Sequence, residues 1–181
     1  MTDFKLECVL FDLDGTLVDT APDLLASLNR TLAAFGHPSV DAELMRPYIS
    51  YGAMAMINQS LTDEDEQQKA QMLDYMLDSY QNNIADSSQL FVGMAEVLQA
   101  IEAKGLKWGV VTNKRERFTN PLLAALQLDN RAACAVSGDT TPFSKPHPEP
   151  MFEACRRAEV SPENCVYIGD AVHDITAGKQ A

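Results

Sequence analysis

The chain has 181 residues, 46% of them hydrophobic and 22% charged, which is typical of a folded domain or a domain with a small insert. Its 26 acidic and 14 basic residues give a net charge of −12, which argues against nucleic acid and anionic membrane surfaces as partners. The sequence contains no long apolar run, signal-peptide pattern or CxxC spacing, so we expect a cytoplasmic protein with four reduced cysteines.

Short apolar runs predict strands that are buried on both faces. These runs cover residues 6–11, 107–112, 132–137 and 164–168. Helical patterns lie between the last three runs, at residues 121–128 and 150–158, and another helix precedes the second run, with Val97, Leu98 and Ile101 on its apolar stripe. The alternation of helices and strands predicts an α/β fold, a three-layer Rossmann-like parallel sheet with right-handed crossovers.

Residues 19–89 carry helical signals alone and interrupt this alternation. We interpret them as an inserted helical cap, with the core formed by residues 1–18 and 90–181. A first helix is expected after a capping pair, Thr20 and Asp23. A later one is expected to begin at Thr62 and to bury the stripe Leu73, Leu77, Tyr80 and Ile84. Five of the eight methionines lie here, which indicates either a small core or a mobile apolar surface.

Polar side chains follow each predicted strand, where parallel sheets bind their ligands. Asp12 and Asp14 follow the first strand and Thr112 the second, whereas Asp170 and Asp174 follow the last. Carboxylates that crowd together would repel one another unless a cation lies among them. Lys145 supplies one positive charge, and a divalent ion is the natural second; all-oxygen ligation favours Mg²⁺.

These motifs, in this order, resemble those of the haloacid dehalogenase superfamily of phosphatases. The run FDLDGTLVDT is similar to the first motif, Thr112 to the second, Lys145 to the third, and Gly169-Asp170 with Asp174 to the fourth, GDxxxD. The resemblance covers nearly the whole chain, with residues 19–89 in the place of the family's helical cap.

The resemblance implies a role for each motif residue. Asp12 is expected to be the nucleophile that forms an aspartyl-phosphate, and Asp14 the general acid and base. Thr112 and the backbone of Asn113 would bind phosphate oxygens, and Lys145 would offset the charge of Asp12 and of the transferring group. Gly15 would let the backbone turn beside the phosphate. Mg²⁺ would be held by Asp12, the Asp14 carbonyl and Asp170, with Asp174 as a ligand or a supporting group.

The substrate expected from the resemblance is a small phosphorylated metabolite. The segments WGVVTNK and SKPHPEP resemble the phosphoglycolate phosphatase branch, and a relative there that hydrolyses N-acetylmuramic acid 6-phosphate is an alternative. Specificity would lie in the cap, so the expected substrate contacts are Tyr51 and Gly52, with Lys114 and Arg115 on the core. A phosphomutase with the same nucleophile stays open, as does a monomer or a homodimer.

The family's core usually continues beyond the fourth motif with another strand and helix. We therefore expect the C-terminal end of the core, about 20 to 40 residues, to be missing from this chain. The last predicted strand would then form an exposed edge, and an inactive shortened form is a further alternative.

Overall fold

The computed structural model describes residues 5–61 and 65–181. It divides the chain into two compact units. The first, here the core unit, comprises Met1–Val18 and Leu90–Ala181, and the second, here the insert, comprises Asp19–Gln89.

The core unit is built on a parallel four-stranded sheet. Its strands are β1 (Cys8–Phe11), β4 (Lys107–Val111), β5 (Cys134–Val136) and β6 (Cys165–Ile168), in the spatial order β5-β4-β1-β6. Leu10 lies between Gly109 and Tyr167 in register. Two shorter strands, β2 (Val18–Asp19) and β3 (Gln89–Leu90), form a separate sheet. The predicted α/β class with a parallel sheet is confirmed.

Helices pack on the main sheet and bury most of its apolar side chains. Strand β6, at the edge of the sheet, was predicted to be buried on both faces, but Val166 and Ile168 are 36% and 45% exposed. The helices are α5 (Met94–Ala103), α6 (Glu116–Ala125), α7 (Glu149–Ala158) and α8 (Val172–Gln180). Cys8 and Leu10 contribute to a core cluster with α7, and strand alternation turns Val9 and Phe11 to the opposite face. Three of the four free cysteines are buried, and Cys165 is half-buried.

Helix α6 begins earlier than the sequence pattern predicts. Residue 121 was the expected start, but the helix already includes Glu116 and contains Pro121 in its interior. Proline removes one backbone donor there. The buried side chains Phe118 and Leu122 nevertheless lie on the same helix, so packing outweighs the lost hydrogen bond.

The insert is helical and has a methionine-rich core of its own. Its helices are α1 (Ala21–Ala34), α2 (Ala42–Met45), α3 (Ala53–Ser60) and α4 (Glu66–Asn82), with a 3₁₀ helix at Arg46–Tyr51. Four of its methionines are at most 3% exposed, namely Met45, Met56, Met72 and Met76, whereas Met54 is 37% exposed. Of the two interpretations of these methionines, the small core is therefore correct.

The buried stripe predicted for α4 is wrong in part. Tyr80 is buried as predicted, but Met72 and Met76 are buried beside it, whereas Leu73 and Leu77 are half-buried and Ile84 lies beyond the end of the helix. Thr62, the predicted start of this helix, lies outside the described residues.

The capping pair predicted for α1 does not form. Thr20 is the N-cap residue, but its side chain makes no capping hydrogen bond. Asp23 instead accepts hydrogen bonds from the backbone N–H groups of Ser87 and Ser88 and from the Ser88 hydroxyl. The buried Asp23 carboxylate thus joins the two ends of the insert.

Within residues 5–61 and 65–181, no helix combines the length and the apolar character needed to cross a membrane.

Candidate active site

The carboxyl ends of the core strands bring polar side chains together from distant parts of the sequence. The N–H of Asp12 donates to Ile168 O at 2.8 Å, and the N–H of Thr112 donates to Val136 O at 2.9 Å, so the strand pairing extends to both residues. Asp12 is 4% exposed and Thr112 is 3% exposed. Buried polar groups of this kind need partners inside the protein.

Lys145 is the main partner of Asp12 and of a second buried carboxylate, that of Asp174. Its ammonium lies 2.7 Å from Asp12 Oδ1 and 2.6 Å from Asp174 Oδ1, and its side chain is fully buried. It also donates to the Val111 carbonyl at 2.9 Å and to the Tyr167 hydroxyl at 2.8 Å. An ammonium has three N–H donors, so four acceptors at these distances occupy all of them.

The two carboxylates beside Lys145 respond differently to burial. Burial raises the pKa of Asp12 to about 6, against the lowering effect of Lys145. For Asp174, burial acts in the same direction, but hydrogen bonds from Lys145, the Ala171 N–H and the Tyr167 hydroxyl hold its pKa below the ordinary value. Asp174 is therefore a fixed negative charge, and Asp12 is the group whose charge is easiest to neutralise.

Three carboxylates form a group that could hold a metal ion. Asp12, Asp170 and Asp174 each offer an oxygen, and these oxygens lie within 4.8 Å of one another. Asp12 and Asp174 share the single ammonium of Lys145, and Asp170 adds a third carboxylate, so carboxylates outnumber cations in this group. An all-oxygen donor set with that excess suits a divalent cation.

Two glycines allow the acidic residues to approach one another. Gly15 has φ of 84°, and a Cβ placed on it would lie 2.9 Å from Asp170 Oδ2. A Cβ on Gly169 would overlap the Asp174 side chain. The Gly15 turn was expected to make room for a phosphate; the structure adds that it makes room for the Asp170 carboxylate, whose Oδ1 accepts from Thr16 Oγ1 at 3.1 Å.

Asp14 and Lys114 form a second buried ion pair at this edge. Lys114 Nζ lies 2.8 Å from Asp14 Oδ1, and the two side chains are 7% and 14% exposed. The Lys114 N–H donates to the Thr112 hydroxyl at 3.1 Å. The structure thus joins Lys114, predicted from the sequence as a substrate contact, to the residue predicted as the general acid.

The other predicted substrate contacts have varied surroundings. The Asn113 side chain exchanges two hydrogen bonds of 3.0 Å with the backbone of Lys145 and so fixes that residue. Arg115 is exposed at the N-terminus of α6. Within the insert, Tyr51 is 65% exposed and Gly52, with φ of 88°, precedes α3.

Tyr167 is the polar residue of this site that sequence reasoning missed. Its hydroxyl lies 2.9 Å from Asp174 Oδ1 and 3.0 Å from the Val111 carbonyl, in addition to the contact with Lys145. Burial and the neighbouring carboxylates raise the pKa of this phenol, so it remains protonated. Its place in a predicted strand, two residues before Gly169, was the available signal, because a buried tyrosine hydroxyl needs a partner.

Comparisons with known proteins show which family the chain resembles. The family model for haloacid dehalogenase-like hydrolases matches residues 9–181. The chain is 43% identical over 179 residues to the N-acetylmuramic acid 6-phosphate phosphatase of Pseudomonas putida. The aligned region covers 98% of this chain and 80% of the relative. It is 40% identical over 173 residues to the phosphoglycolate phosphatase of Xylella fastidiosa, which covers 96% of this chain and 76% of the relative.

The fold is also similar to that of solved structures. The crystal structure of a predicted phosphoglycolate phosphatase from Haemophilus somnus 129pt matches with a TM-score of 0.85 and 31% identity, over 100% of this chain and 83% of that one. A hydrolase of the haloacid dehalogenase superfamily from Geobacter sulfurreducens, 20% identical, matches with a TM-score of 0.78 and supports the fold alone.

Proposed function

The chain belongs to the haloacid dehalogenase-like hydrolase family, as a phosphoric monoester hydrolase, and we propose that it cleaves a small phosphorylated metabolite through an aspartyl-phosphate on Asp12. The observation that carries this proposal is the buried Lys145 ammonium between Asp12 and Asp174, beside the oxygens of Asp170. It supports the proposal because two buried carboxylates share one ammonium, and a third carboxylate that could help to hold a metal ion lies beside them.

In the first half-reaction, a carboxylate oxygen of Asp12 bonds to phosphorus while the bond between phosphorus and the ester oxygen breaks. Asp14 donates a proton to the departing oxygen, which leaves as an alcohol. Lys145 keeps Asp12 in position and offsets the negative charge that gathers there. Thr112 and the backbone of Asn113 hold the phosphoryl oxygens.

In the second half-reaction, Asp14 takes a proton from water and the water oxygen bonds to phosphorus. The bond between phosphorus and Asp12 breaks, so phosphate leaves and the carboxylate is restored. Atoms balance as one ester and one water giving one alcohol and one phosphate. Asp14 serves as acid and then as base, which the reversal of its proton transfer requires.

Mg²⁺ fits the donor set at this site. Asp12, Asp170 and the Asp14 carbonyl would hold it, while Asp174, committed to Lys145 and Tyr167, would support the site instead of ligating directly. When bound, the cation supplies positive charge for the phosphoryl oxygens.

Two substrate assignments follow from the relatives. A phosphoglycolate-like ester is the first, and N-acetylmuramic acid 6-phosphate is the second, favoured by 43% and 40% identity to two Pseudomonas phosphatases of that name. For either substrate, we propose that Tyr51 and Gly52 of the insert and Arg115 of the core unit contact the leaving group.

The test is phosphate release from 2-phosphoglycolate, N-acetylmuramic acid 6-phosphate and glucose 6-phosphate, with Mg²⁺ and after addition of EDTA. Asp12→Asn should lower turnover by about 10⁴-fold or more, because the nucleophile is lost. The matched control is Asp129→Asn, at an exposed position of the core unit. Undiminished turnover by Asp12→Asn, or no phosphate release from any ester by the wild type, would overturn the proposal.

A further inference from the structure

The four cysteines of the chain come together on one face of the main sheet. Cys8, Cys134 and Cys155 are buried in the core cluster that includes α7, and Cys165 packs against that cluster. All four are free thiols. Cys8 and Cys165 are the first residues of their parallel strands, so they lie at the opposite end of the sheet from the charged group. The proposed catalysis therefore has no role for these thiols.

Cys155 and Cys165 are in direct contact. Their Sγ atoms lie 3.7 Å apart, which is van der Waals contact between two sulfur atoms. Cys155 is on α7 and Cys165 begins β6, so the two side chains approach each other from a helix and from the sheet. A disulfide requires about 2.0 Å between the sulfurs, so each must move by about 1 Å. Ala158 is the one buried residue of the connection 156–164, so this surface segment can follow such a movement.

Cys8 is a second thiol next to Cys165, because the two residues are partners in the pairing of β1 with β6. Side chains on the same face of neighbouring strands keep the spacing of the strands, which is about 4.8 Å. A disulfide requires about 3.5–4.5 Å between its Cβ atoms, and the hydrogen bonds of the sheet resist that closer approach. Cys155, on a separate layer, is therefore the better partner for Cys165.

Cys165 is the thiol of the pair that a reagent in solvent can reach. It is half-buried, whereas Cys155 is 3% exposed. Its S–H donates to the Ser161 carbonyl, at 3.3 Å, in the surface segment before β6. Burial raises the pKa of both thiols, that of Cys155 to about 12, but the neighbouring thiols of Cys155 and Cys8 partly lower the pKa of Cys165. Exposure and ionisation thus both make Cys165 the attacking thiol.

We propose that Cys155 and Cys165 are a redox-active pair, which a low-molecular-weight disulfide oxidises reversibly to an intrachain disulfide. The Cys165 thiolate attacks one sulfur of the oxidant, whose S–S bond breaks and releases one thiolate. The Cys155 thiolate then attacks Cys165 Sγ, and the mixed disulfide breaks and releases the second. The protons lost by the two cysteines pass to the two departing thiolates. The protein loses two electrons and the reagent gains two.

The disulfide would stabilise strand β6, which lies at the edge of the sheet beside β1. It would join the start of β6 to α7 through residues ten positions apart, which restricts the unfolded chain. The melting temperature in EDTA should therefore rise by about 5 °C on oxidation. Tyr167, two residues further along β6, contacts Lys145 and Asp174, so the cross-link would also support the strand that carries this hydroxyl.

The test treats the whole chain with 2-hydroxyethyl disulfide at about pH 8.5, where more of each thiol is ionised. Remaining thiols are then blocked with N-ethylmaleimide in acidic urea, and tryptic peptides are analysed by mass spectrometry. Peptides 132–156 and 158–179 should appear as one species, lighter than their sum by two hydrogen atoms, which dithiothreitol separates again.

Two matched variants identify the partners, since both change a buried cysteine of the same peptide. Cys134→Ser should keep the cross-link, because Cys155 is then the one cysteine of peptide 132–156. Cys155→Ser should abolish it and leave a 2-hydroxyethylthio group on Cys165, because the second step has lost its nucleophile.

Other results would overturn the proposal. A cross-link between Cys8 and Cys165, a mixed disulfide that persists on wild-type Cys165, or four unreacted thiols would each show that Cys155 and Cys165 are not a redox pair. An oxidised protein that melts no higher than the reduced one would disprove the stabilisation of β6. These readouts need no phosphate release, so they are independent of the proposed function.

Discussion

The core unit and the insert bury different kinds of side chain. At the carboxyl ends of its strands the core unit buries Asp12, Thr112, Lys145 and Asp174, each joined to groups far away in the sequence. The insert buries mainly apolar side chains, with four methionines at its centre. Its buried Asp23 accepts hydrogen bonds from Ser87 and Ser88, and its buried Lys69 lies 3.5 Å from the exposed Glu66, so both charges are paired with nearby groups of the insert.

The charged side chains proposed for catalysis are thus buried in the core unit, whereas mainly apolar packing stabilises the insert. Buried charges are costly, and a fold retains them where they have partners and a use. In the insert, replacement of a buried methionine by an apolar residue of similar size should lower the free energy of unfolding only slightly. The core unit cannot exchange one member of its charged group without leaving the others unpaired. Loss of one charged side chain from the core unit should therefore have larger effects than loss of one exposed side chain from the insert.

The largest effect is expected from Lys145→Met. Removing the ammonium leaves Asp12 and Asp174 buried without their cation, which should lower the free energy of unfolding by about 3–5 kcal/mol. Phosphate release should also fall by about 10²- to 10³-fold or more. Urea unfolding in EDTA and phosphate release with Mg²⁺ measure the two effects. Lys104→Met is the control, and an unfolding midpoint equal to that of the wild type would contradict the contrast.

Met72→Ala should separate stability from chemistry. Met72 is fully buried in the insert, so its loss should lower the free energy of unfolding by about 2–5 kcal/mol. At low temperature, where the protein stays folded, kcat should stay close to that of the wild type. The matched control is Met54→Ala, since Met54 is 37% exposed and its loss should cost about 0.5 kcal/mol or less. Equal unfolding curves for the two variants would disprove a methionine core.

Tyr167→Phe should show that the hydroxyl supports the charged group. The change leaves the ring in place but removes a partner of Lys145 and Asp174, which should cost about 1–3 kcal/mol of stability. Metal affinity should weaken as well, because Asp174 would be held less firmly; calorimetric titration with Mg²⁺ measures this. Tyr75→Phe, at a position 46% exposed, is the control. Unchanged stability and metal affinity would make Tyr167 a packing residue only.

Metal binding should depend on pH through Asp12. Burial raises the pKa of this carboxyl to about 6, so the metal-free protein holds a proton there below pH 6. Mg²⁺ must displace that proton, so its affinity should weaken about tenfold from pH 7 to pH 5. Calorimetric titrations at three pH values test this, and a constant affinity over that range would count against it.

The contribution of Asp12 to the free energy of unfolding should change with pH in the opposite direction to the metal affinity. The folded pKa of Asp12 lies above its unfolded value of 3.8, so the folded state binds more protons. In EDTA, this residue therefore makes the protein more stable as the pH falls from 7 towards 4. The Asp12→Asn variant should lack this contribution.

The smallest effect is expected from Tyr51→Ala in the insert. Tyr51 is 65% exposed, so stability should change by about 0.5 kcal/mol or less. If it contacts the leaving group, KM should rise by up to about fivefold, with kcat nearly constant. Leu44→Ala, at a position 74% exposed in the same unit, is the control. A KM equal to that of the wild type would remove Tyr51 from the binding site.

Local patterns in the sequence were sufficient to predict the α/β architecture. Apolar runs of strand length alternate with helical stripes, and a parallel sheet follows from that alternation. Parallel strands end at one edge, so Asp12, Thr112 and Asp170 could be placed together from their positions after each strand. The start of α6 was placed too late because Pro121 is a local signal for a helix start, whereas the packing of Phe118 is not local.

The buried face of α4 could not be predicted from local sequence patterns. Met72 and Met76 form one apolar stripe, and Leu73 and Leu77 form a second one directly beside it. Both have helical spacing, so the sequence alone favours neither. Only packing against α1 and α3 decides that the methionines are buried.

The fold class and most of the charged residues at the sheet edge could be predicted from the amino-acid sequence. The pairs of atoms in contact could not: Lys145 with Asp12 across 133 positions, Lys114 with Asp14 across 100, and the Tyr167 hydroxyl with both Lys145 and Asp174. Strand direction determines which residues lie at the edge of the sheet. Strand register and side-chain rotamers determine which of their atoms come within hydrogen-bonding distance of each other. Those quantities depend on the whole packed core and on no single segment of the chain.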